Sequence, residues 1–280
     1  MIVNTNMNAL TAHNAMTKNT ALAGNSMEKI SSGLRITKAG DDAAGLAISE
    51  KMRSQIRGLD QANRNVQDGM SLIQTAEGGM EEVTNILQRM RELTTQVANE
   101  TNELTERAKI GEELNQLQEE ITRIANSTQF NGKDLLNGTN ATIGIQAGAN
   151  TGANQTITID LTDITTDVDL TAEITALTGA ADIAAGTTAA TTLLTAIDAA
   201  IENVNEGRAT LGAQQNRLEY TSNNLTTSSE NLTAAESRIR DVDVAKEMVN
   251  LSKLNILSQA SQAMVSQANQ QPQGVLQLLR

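Results

Sequence analysis

Few side chains in this sequence could do acid–base, nucleophilic or metal chemistry. His13 is the single histidine, set in a polar stretch with no cysteine or carboxylate cluster beside it, so neither a proton shuttle nor a metal-ligand set is expected there. With no cysteine in the chain there is no thiolate nucleophile, no cysteine metal site and no disulfide framework, and the redox compartment stays open. The glycines of KAGDDAAGLAIS follow no apolar strand and have neither Walker nor dinucleotide spacing, so this segment reads as a linker and helix cap rather than a phosphate cradle. Asn-x-Ser/Thr triplets recur, but so Asn- and Thr-rich a chain produces them by chance. No catalytic, cofactor-binding or metal-binding residue is expected, and the chain is not expected to be an enzyme.

One constellation suits recognition instead of catalysis. QRMREL places Arg89 and Leu93 four residues apart on one helix face, and Glu113 falls on the helix that returns alongside. A partly exposed Leu beside an Arg is the kind of pair that anchors interfaces; a solvated charged face is the plainer alternative. The sequence leaves both open.

The elements that must position these residues are helical. Phe130 and Tyr220 are the only aromatics and there is no Trp, so the core must be thin, aliphatic and drawn out along shared seams. The one proline, Pro272, lies near the end and leaves long helices uninterrupted. Val3, Met7 and Leu10, then Met27, Ile30 and Leu34, take the 4–3 and 3–4 steps of one helical face. After a break at Gly33–Asp42, with an Asp placed to cap the next helix, an apolar series from Ile56 to Val97 predicts a long coiled-coil-like helix. Gly78-Gly79 within it suggests a close helix–helix crossing. Ile110, Leu114, Leu117, Ile121 and Ile124 mark a second helix, ending before a turn at Asn131-Gly132.

Alternation over 142–146 and 155–161 predicts a β-hairpin, the only convincing strand pair. Residues 162–190 give conflicting signals and read as variable surface with one short helix. Ile197, Val204, Leu211, Leu218, Leu225, Leu232 and Ile239 form the strongest periodic series. Its companion seam, Leu194, Ile201, Arg208, Gln215, Ser222, Ser229 and Glu236, turns polar halfway, so a half-wet interface or several neighbours are needed. A last helix carries Val244, Met248, Leu251, Leu254, Leu257, Met264 and Val265 and ends in the apolar run Val275, Leu276, Leu278 and Leu279. Few soluble monomers leave such an end exposed.

Charge points the same way. The net charge of −12 opposes nucleic-acid binding. Residues 134–207 hold acidic side chains and no Lys or Arg, whereas 248–280 hold no Asp or Glu. The middle is expected to face solvent and the ends to make contact. The N-terminal stretch has no basic start before an apolar run, and no run of about 18 apolar residues occurs, so neither general secretory export nor membrane spanning is expected. Lys253 and Arg280 are too few basic residues to hold the acid-free end on anionic lipid.

The start MIVNTNMNAL, the block SSGLRITKAGDDAAGLAIS, the segments QRMREL, STQFNGKDLL and NLTAAESRIRDVDVAKEM, and the end SQANQQPQGVLQLLR together resemble bacterial flagellin. The resemblance implies a mainly α fold, with long coiled-coil-like helices from both chain ends packed as a bundle and a small β-hairpin region in the middle. It implies that 1–42 and 241–280 form a discontinuous innermost domain and 43–240 a second, mainly helical one. A self-assembling filament subunit used for swimming would follow, located outside the cell in the flagellum and exported unfolded by the flagellar type III apparatus. Filament contacts are then expected at Val3, Met7, Leu10, Met27, Ile30, Leu34, Leu251, Leu254, Leu257, Met264, Val275, Leu278 and Leu279. The implied partners are many copies of the chain itself, an export chaperone on the C-terminal helix, the filament cap and hook-junction proteins, and a host Toll-like receptor at Arg89, Leu93 and Glu113, with no cofactor, nucleic acid or membrane. The alternative is a hook–filament junction protein, which shares the helical terminal plan; the first forty residues favour flagellin. A flagellin with a catalytic insert is disfavoured, because the middle segment is short and lacks His and Cys.

Overall fold

A computed structural model describes residues 6–278, with side chains described through Gln271 apart from Ala153. The elements run α1 (Met7–Ser32), α2 (Ala43–Val97), α3 (Leu104–Ser127), β1 (Gln129–Phe130), β2 (Lys133–Asp134), β3 (Thr142–Gln146), β4 (Thr156–Asp160), α4 (Ile164–Asp167), α5 (Thr171–Thr178), α6 (Ile183–Arg240) and α7 (Val244–Leu278). The mainly helical expectation holds. The chain divides into two compact units: one takes in the residues up to Ile56 and from Glu230 onward, the other Arg57–Ser229.

The second unit is built on 3.5-residue repeats. One run of buried α2 positions falls at Ala62, Val66, Gly69, Ile73, Ala76, Met80, Val83, Leu87, Met90, Thr94 and Val97. Steps of four and three keep these residues on one slightly underwound face. α3 repeats the rhythm at Arg107, Gly111, Leu114, Gln118, Ile121 and Ala125, and α6 from Ala190 through Leu193, Ile197, Ala200 and Val204 to Leu211 and Leu218. One apolar cluster joins the three helices. The heptad series read from sequence is buried from Ile197 to Leu225, and every residue of its companion seam is half-buried. That seam is wet, and it is bonded. Ser222 donates to Asn63 Oδ1 at 2.7 Å and Ser229 to Asp60 Oδ1 at 2.9 Å, while Arg208 faces Glu77 at 3.8 Å. These pairings run α6 antiparallel to α2. α6 also holds an 18-residue window of mean hydropathy 1.2, long and apolar enough to cross a membrane; its Leu193, Ile197 and Ala200 are part of the core.

β3 and β4 pair antiparallel in the register Ile143↔Ile159 and Ile145↔Ile157, as the alternation predicts. Ile143, Ile157 and Ile159 are buried and the Thr side chains alternate outward. A further pair, β1–β2, was not expected: it closes over Asn131 and Gly132, both at positive φ (50° and 75°). Positive φ at both central residues is what a type I′ hairpin turn demands and what Asn-Gly supplies at least cost.

Two expectations are corrected here. Residues 162–190 are not loose surface: Ile164, Val168, Leu170, Ile174 and Leu177 are buried, and α4 and α5 pack on α3. Their apolar residues are few and set among Thr, Ala and Asp, so the pattern is diluted while the burial is real. Gly79 does not mark a helix crossing. A Cβ there would sit 2.8 Å from Leu136 Cδ1 and 2.9 Å from Thr128 Oγ1, whereas Gly78 faces open space. α2 is thus approached closely by the segment that follows α3. Gly79→Ala should lower stability by about 1–3 kcal/mol through overpacking and Gly78→Ala should raise it by up to about 1 kcal/mol, both read by urea denaturation.

Candidate assembly surface

In the terminal unit α1 and α7 lie antiparallel. Asn6 Nδ2 donates to the carbonyl of Ala268 at 2.7 Å, Asn19 Nδ2 to Ser261 Oγ at 3.4 Å, and the Thr20 and Ser258 hydroxyls meet at 3.5 Å. At the other end the chain is sewn by backbone: Arg35 N donates to the Arg240 carbonyl at 2.6 Å and Val242 N to the Gly33 carbonyl at 3.0 Å. Gly33 adopts φ 72° as the left-handed C-cap of α1, the conformation glycine accepts without strain.

Ile30 apart, the face that pairs is not the stripe conspicuous in the sequence. Lys29 apart, the half-buried and buried residues of α1 are Ala9, Ala12, Met16, Asn19, Ala23, Ser26 and Ile30, a 3–4 repeat of mostly small or polar side chains. α7 answers with Glu247, Leu251, Leu254, Ser258, Ser261, Val265 and Ala268. Small residues let two backbones come close, and Cα atoms approach within 8 Å along this pair. Of the expected contact residues, Ile30, Leu251 and Leu254 lie in this seam and Leu34 is half-buried beside the connecting segment. Met7, Leu10, Met27, Leu257 and Met264 are exposed. Val3 and Leu279 lie outside the described residues, and the side chains of Val275 and Leu278 outside the described side chains.

Large apolar side chains are therefore left on the outside of both helices. Leu22 on α1, and Val244, Met248, Val249 and Ile256 on α7, join those just named. A groove of about 530 Å³ runs along the same pair, lined by Ala12, Ala15, Leu257, Ala260 and Met264 among others. Water contact with so many large apolar groups on two helices is unfavourable, and their burial against another surface would recover about 25 cal/mol per Å².

The connecting segment is held by carboxylates. Asp41 Oδ2 accepts from the amides of Lys38 and Thr37 and from the Thr37 hydroxyl, each at 3.1 Å. Asp42 caps α2 by accepting from Gly45 N at 2.9 Å, as expected from KAGDDAAG. Glu50 accepts from Arg240 Nη1 at 2.6 Å. The Lys38 and Thr37 amides hold the Asp41 carboxyl below its ordinary value, and the Arg240 guanidinium does the same for Glu50. Both groups stabilise the fold fully above the ordinary carboxylate range near pH 4, and that contribution disappears as the pH falls through their lowered values. Between pH 5 and 2 the stability of D41N/E50Q should fall less steeply than that of the parent chain, as measured by urea denaturation across that range.

In the second unit Arg89 is exposed, donating to Glu113 Oε1 and Glu92 Oε2, each at 3.2 Å. Arg89 and Glu113 therefore do meet. Leu93 does not belong to that surface: it is only 3% exposed. α2 is covered by α3 on one side and α6 on the other, as the Arg89–Glu113 and Arg91–Asp198 pairs show, so its buried stripe is wider than a two-helix seam and takes in Leu93. Among the described residues no group of three His, Asp or Glu side chains is placed to hold a metal ion.

The reading from sequence missed Arg107, which is 3% exposed. Its guanidinium donates to the carbonyls of Asn102, Ile183 and Asn99 at 3.0–3.2 Å. Its place in the α3 heptad, four before Gly111, was the available signal.

Family models described as the bacterial flagellin N-terminal helical region and the bacterial flagellin C-terminal helical region match residues 3–141 and 194–279. The chain is 59% identical over 280 residues to a flagellin of Halalkalibacterium halodurans and 51% identical over 304 aligned positions to a flagellin of Bacillus subtilis, with the whole of each chain covered in both cases. Among solved structures, a chain described as a flagellar hook-associated protein of Vibrio parahaemolyticus aligns with a TM-score of 0.61 at 15% identity, covering 72% of this chain and all of that one. That likeness is one of fold alone.

Proposed function

The chain belongs to the bacterial flagellin family, and on that premise we propose that the outward apolar faces of α1 and α7 are where copies join. It is a structural subunit of the flagellar filament, and homopolymeric self-assembly in the service of motility follows from the family. The junction-protein alternative has less support, since full-length identity lies with flagellins and the hook-associated likeness is one of fold.

The reading rests on one observation: α1 and α7 pair through small residues and leave Met7, Leu10, Leu22, Met27, Ile256, Leu257 and Met264 in water. Residues 1–42 and 241–280 would line the filament's innermost layer, with Val3, Val275, Leu278 and Leu279 extending the contact, and 43–240 would stand outside it. An isolated subunit should bind a dye that fluoresces on apolar surface and release it when seeded into filaments. Equal dye binding before and after assembly would rule the reading out.

The remaining partners belong to the same proposal. Export in unfolded form through the type III apparatus suits a chain without disulfides, and an export chaperone would cover the apolar face of α7. The cap and hook-junction proteins would meet the same terminal faces, and the assembled product would lie outside the cell. For a host Toll-like receptor, the accessible part of the site is the Arg89–Glu113 pair, with Leu93 supporting it from beneath. Arg89→Ala should weaken a receptor reporter about tenfold, the loss of one charged anchor; an unchanged response would remove Arg89 from the site.

A further inference from the structure

Methionine is distributed unevenly over the two units. In the second unit Met80 and Met90 are fully buried and Met70 is packed against the core. In the terminal unit Met7, Met27, Met248 and Met264 are between 48% and 65% exposed. Both aromatic residues of the chain, Phe130 and Tyr220, fall in the second unit, and the chain has neither Cys nor Trp. The thioethers are thus the readily oxidised groups on the terminal unit, and they stand on the faces argued above to join copies.

We propose that these four methionines make assembly sensitive to oxidation, so that a subunit oxidised before incorporation is refused by the filament and one repaired by thiol reduction is accepted. The inference rests on the reading of these faces as the joining surface. A peroxide supplies the oxidant: the sulfur lone pair attacks one peroxide oxygen, the O–O bond breaks, an S–O bond forms and water leaves, with two electrons passing from sulfur to the peroxide. Reduction by two thiols returns the thioether, a disulfide and water. The sulfoxide replaces a flexible apolar side chain with a polar one, which disrupts methionine-rich contacts. Once copies cover these faces the sulfurs are shielded, so the sensitive species is the free subunit. Met80 and Met90, with no exposure, should oxidise last.

The experiment treats free subunits and preformed filaments with dilute hydrogen peroxide, maps oxygen addition by peptide mass, and measures elongation from seeds. Met7, Met27, Met248 and Met264 of the free subunit should gain oxygen before Met80 and Met90, and elongation should slow by about tenfold or more. Methionine sulfoxide reductase with dithiothreitol should restore it. The M7L/M27L/M248L/M264L chain, compared only with its own untreated sample, should lose far less on treatment. Oxidised subunits that elongate at the untreated rate, or a slowed sample that repair does not restore, would overturn the proposal. If the quadruple variant does not elongate at all, the repair of the parent chain decides. Failure of the untreated parent chain to elongate would instead defeat the reading of the joining surface itself.

Discussion

Ile256→Asp should abolish elongation at ordinary subunit concentrations while the helix content of the free chain stays as it was. Ile256 is 66% exposed and lies off the Leu251–Leu254–Ser258–Ser261 seam, so the α1–α7 pair loses nothing it uses. The helix itself pays only the difference in propensity between Ile and Asp, a few tenths of a kcal/mol. In the assembled state the carboxylate would replace a buried apolar contact and lose water without gaining a partner, at a cost of several kcal/mol. At 1.4 kcal/mol per tenfold change in affinity, the critical concentration should rise by about a hundredfold or more. Sedimentation after seeding reads that concentration and circular dichroism reads the fold. An unchanged critical concentration would place Ile256 outside the joining surface.

Arg107→Ala should produce the largest loss of stability from a single polar side chain in the second unit. The guanidinium lies buried where the turn after α2 meets the first residue of α6, and its described partners are carbonyls and the Thr187 hydroxyl rather than a carboxylate. Removing it takes a charged donor from three carbonyls, of which those of Ile183 and Asn99 keep the Thr187 hydroxyl and the Asn102 amide, so a loss of about 2–3 kcal/mol is expected in urea denaturation. Arg107→Lys should recover less than half, because one ammonium cannot reproduce the directions of a planar fork. A loss under about 1 kcal/mol for the alanine variant would mean that water replaces the guanidinium and that it is not a structural clamp.

Legibility in the sequence depended on side-chain size. The α6 series Ile197–Leu225 and the α2 series Val66–Val97 stand out because large aliphatics alternate with charged and polar residues, and both proved to be core. Asn131-Gly132 and the Ile-Thr alternation of β4 were readable because backbone sterics and the two-residue strand period leave few alternatives. The α1 seam was hidden: Ala9, Ala12, Asn19, Ala23 and Ser26 carry no hydropathy contrast, and the eye follows Met7, Leu10 and Met27 on the other face. The conspicuous stripe is the one the free chain leaves unpaired. Leu93 was illegible for a different reason. Whether a residue at the margin of a helical stripe is buried depends on how many neighbours that helix has, and periodicity along one helix does not report that.

The central claim is that the paired terminal helices join the copies. Its most direct test is seeded elongation, imaged by electron microscopy, of the full chain beside one ending at Arg240 and so lacking α7 and its apolar face. The full chain should grow filaments from seeds and the shortened chain should grow none, while circular dichroism shows that α2, α3 and α6 remain folded. Filaments grown from the shortened chain would contradict the account.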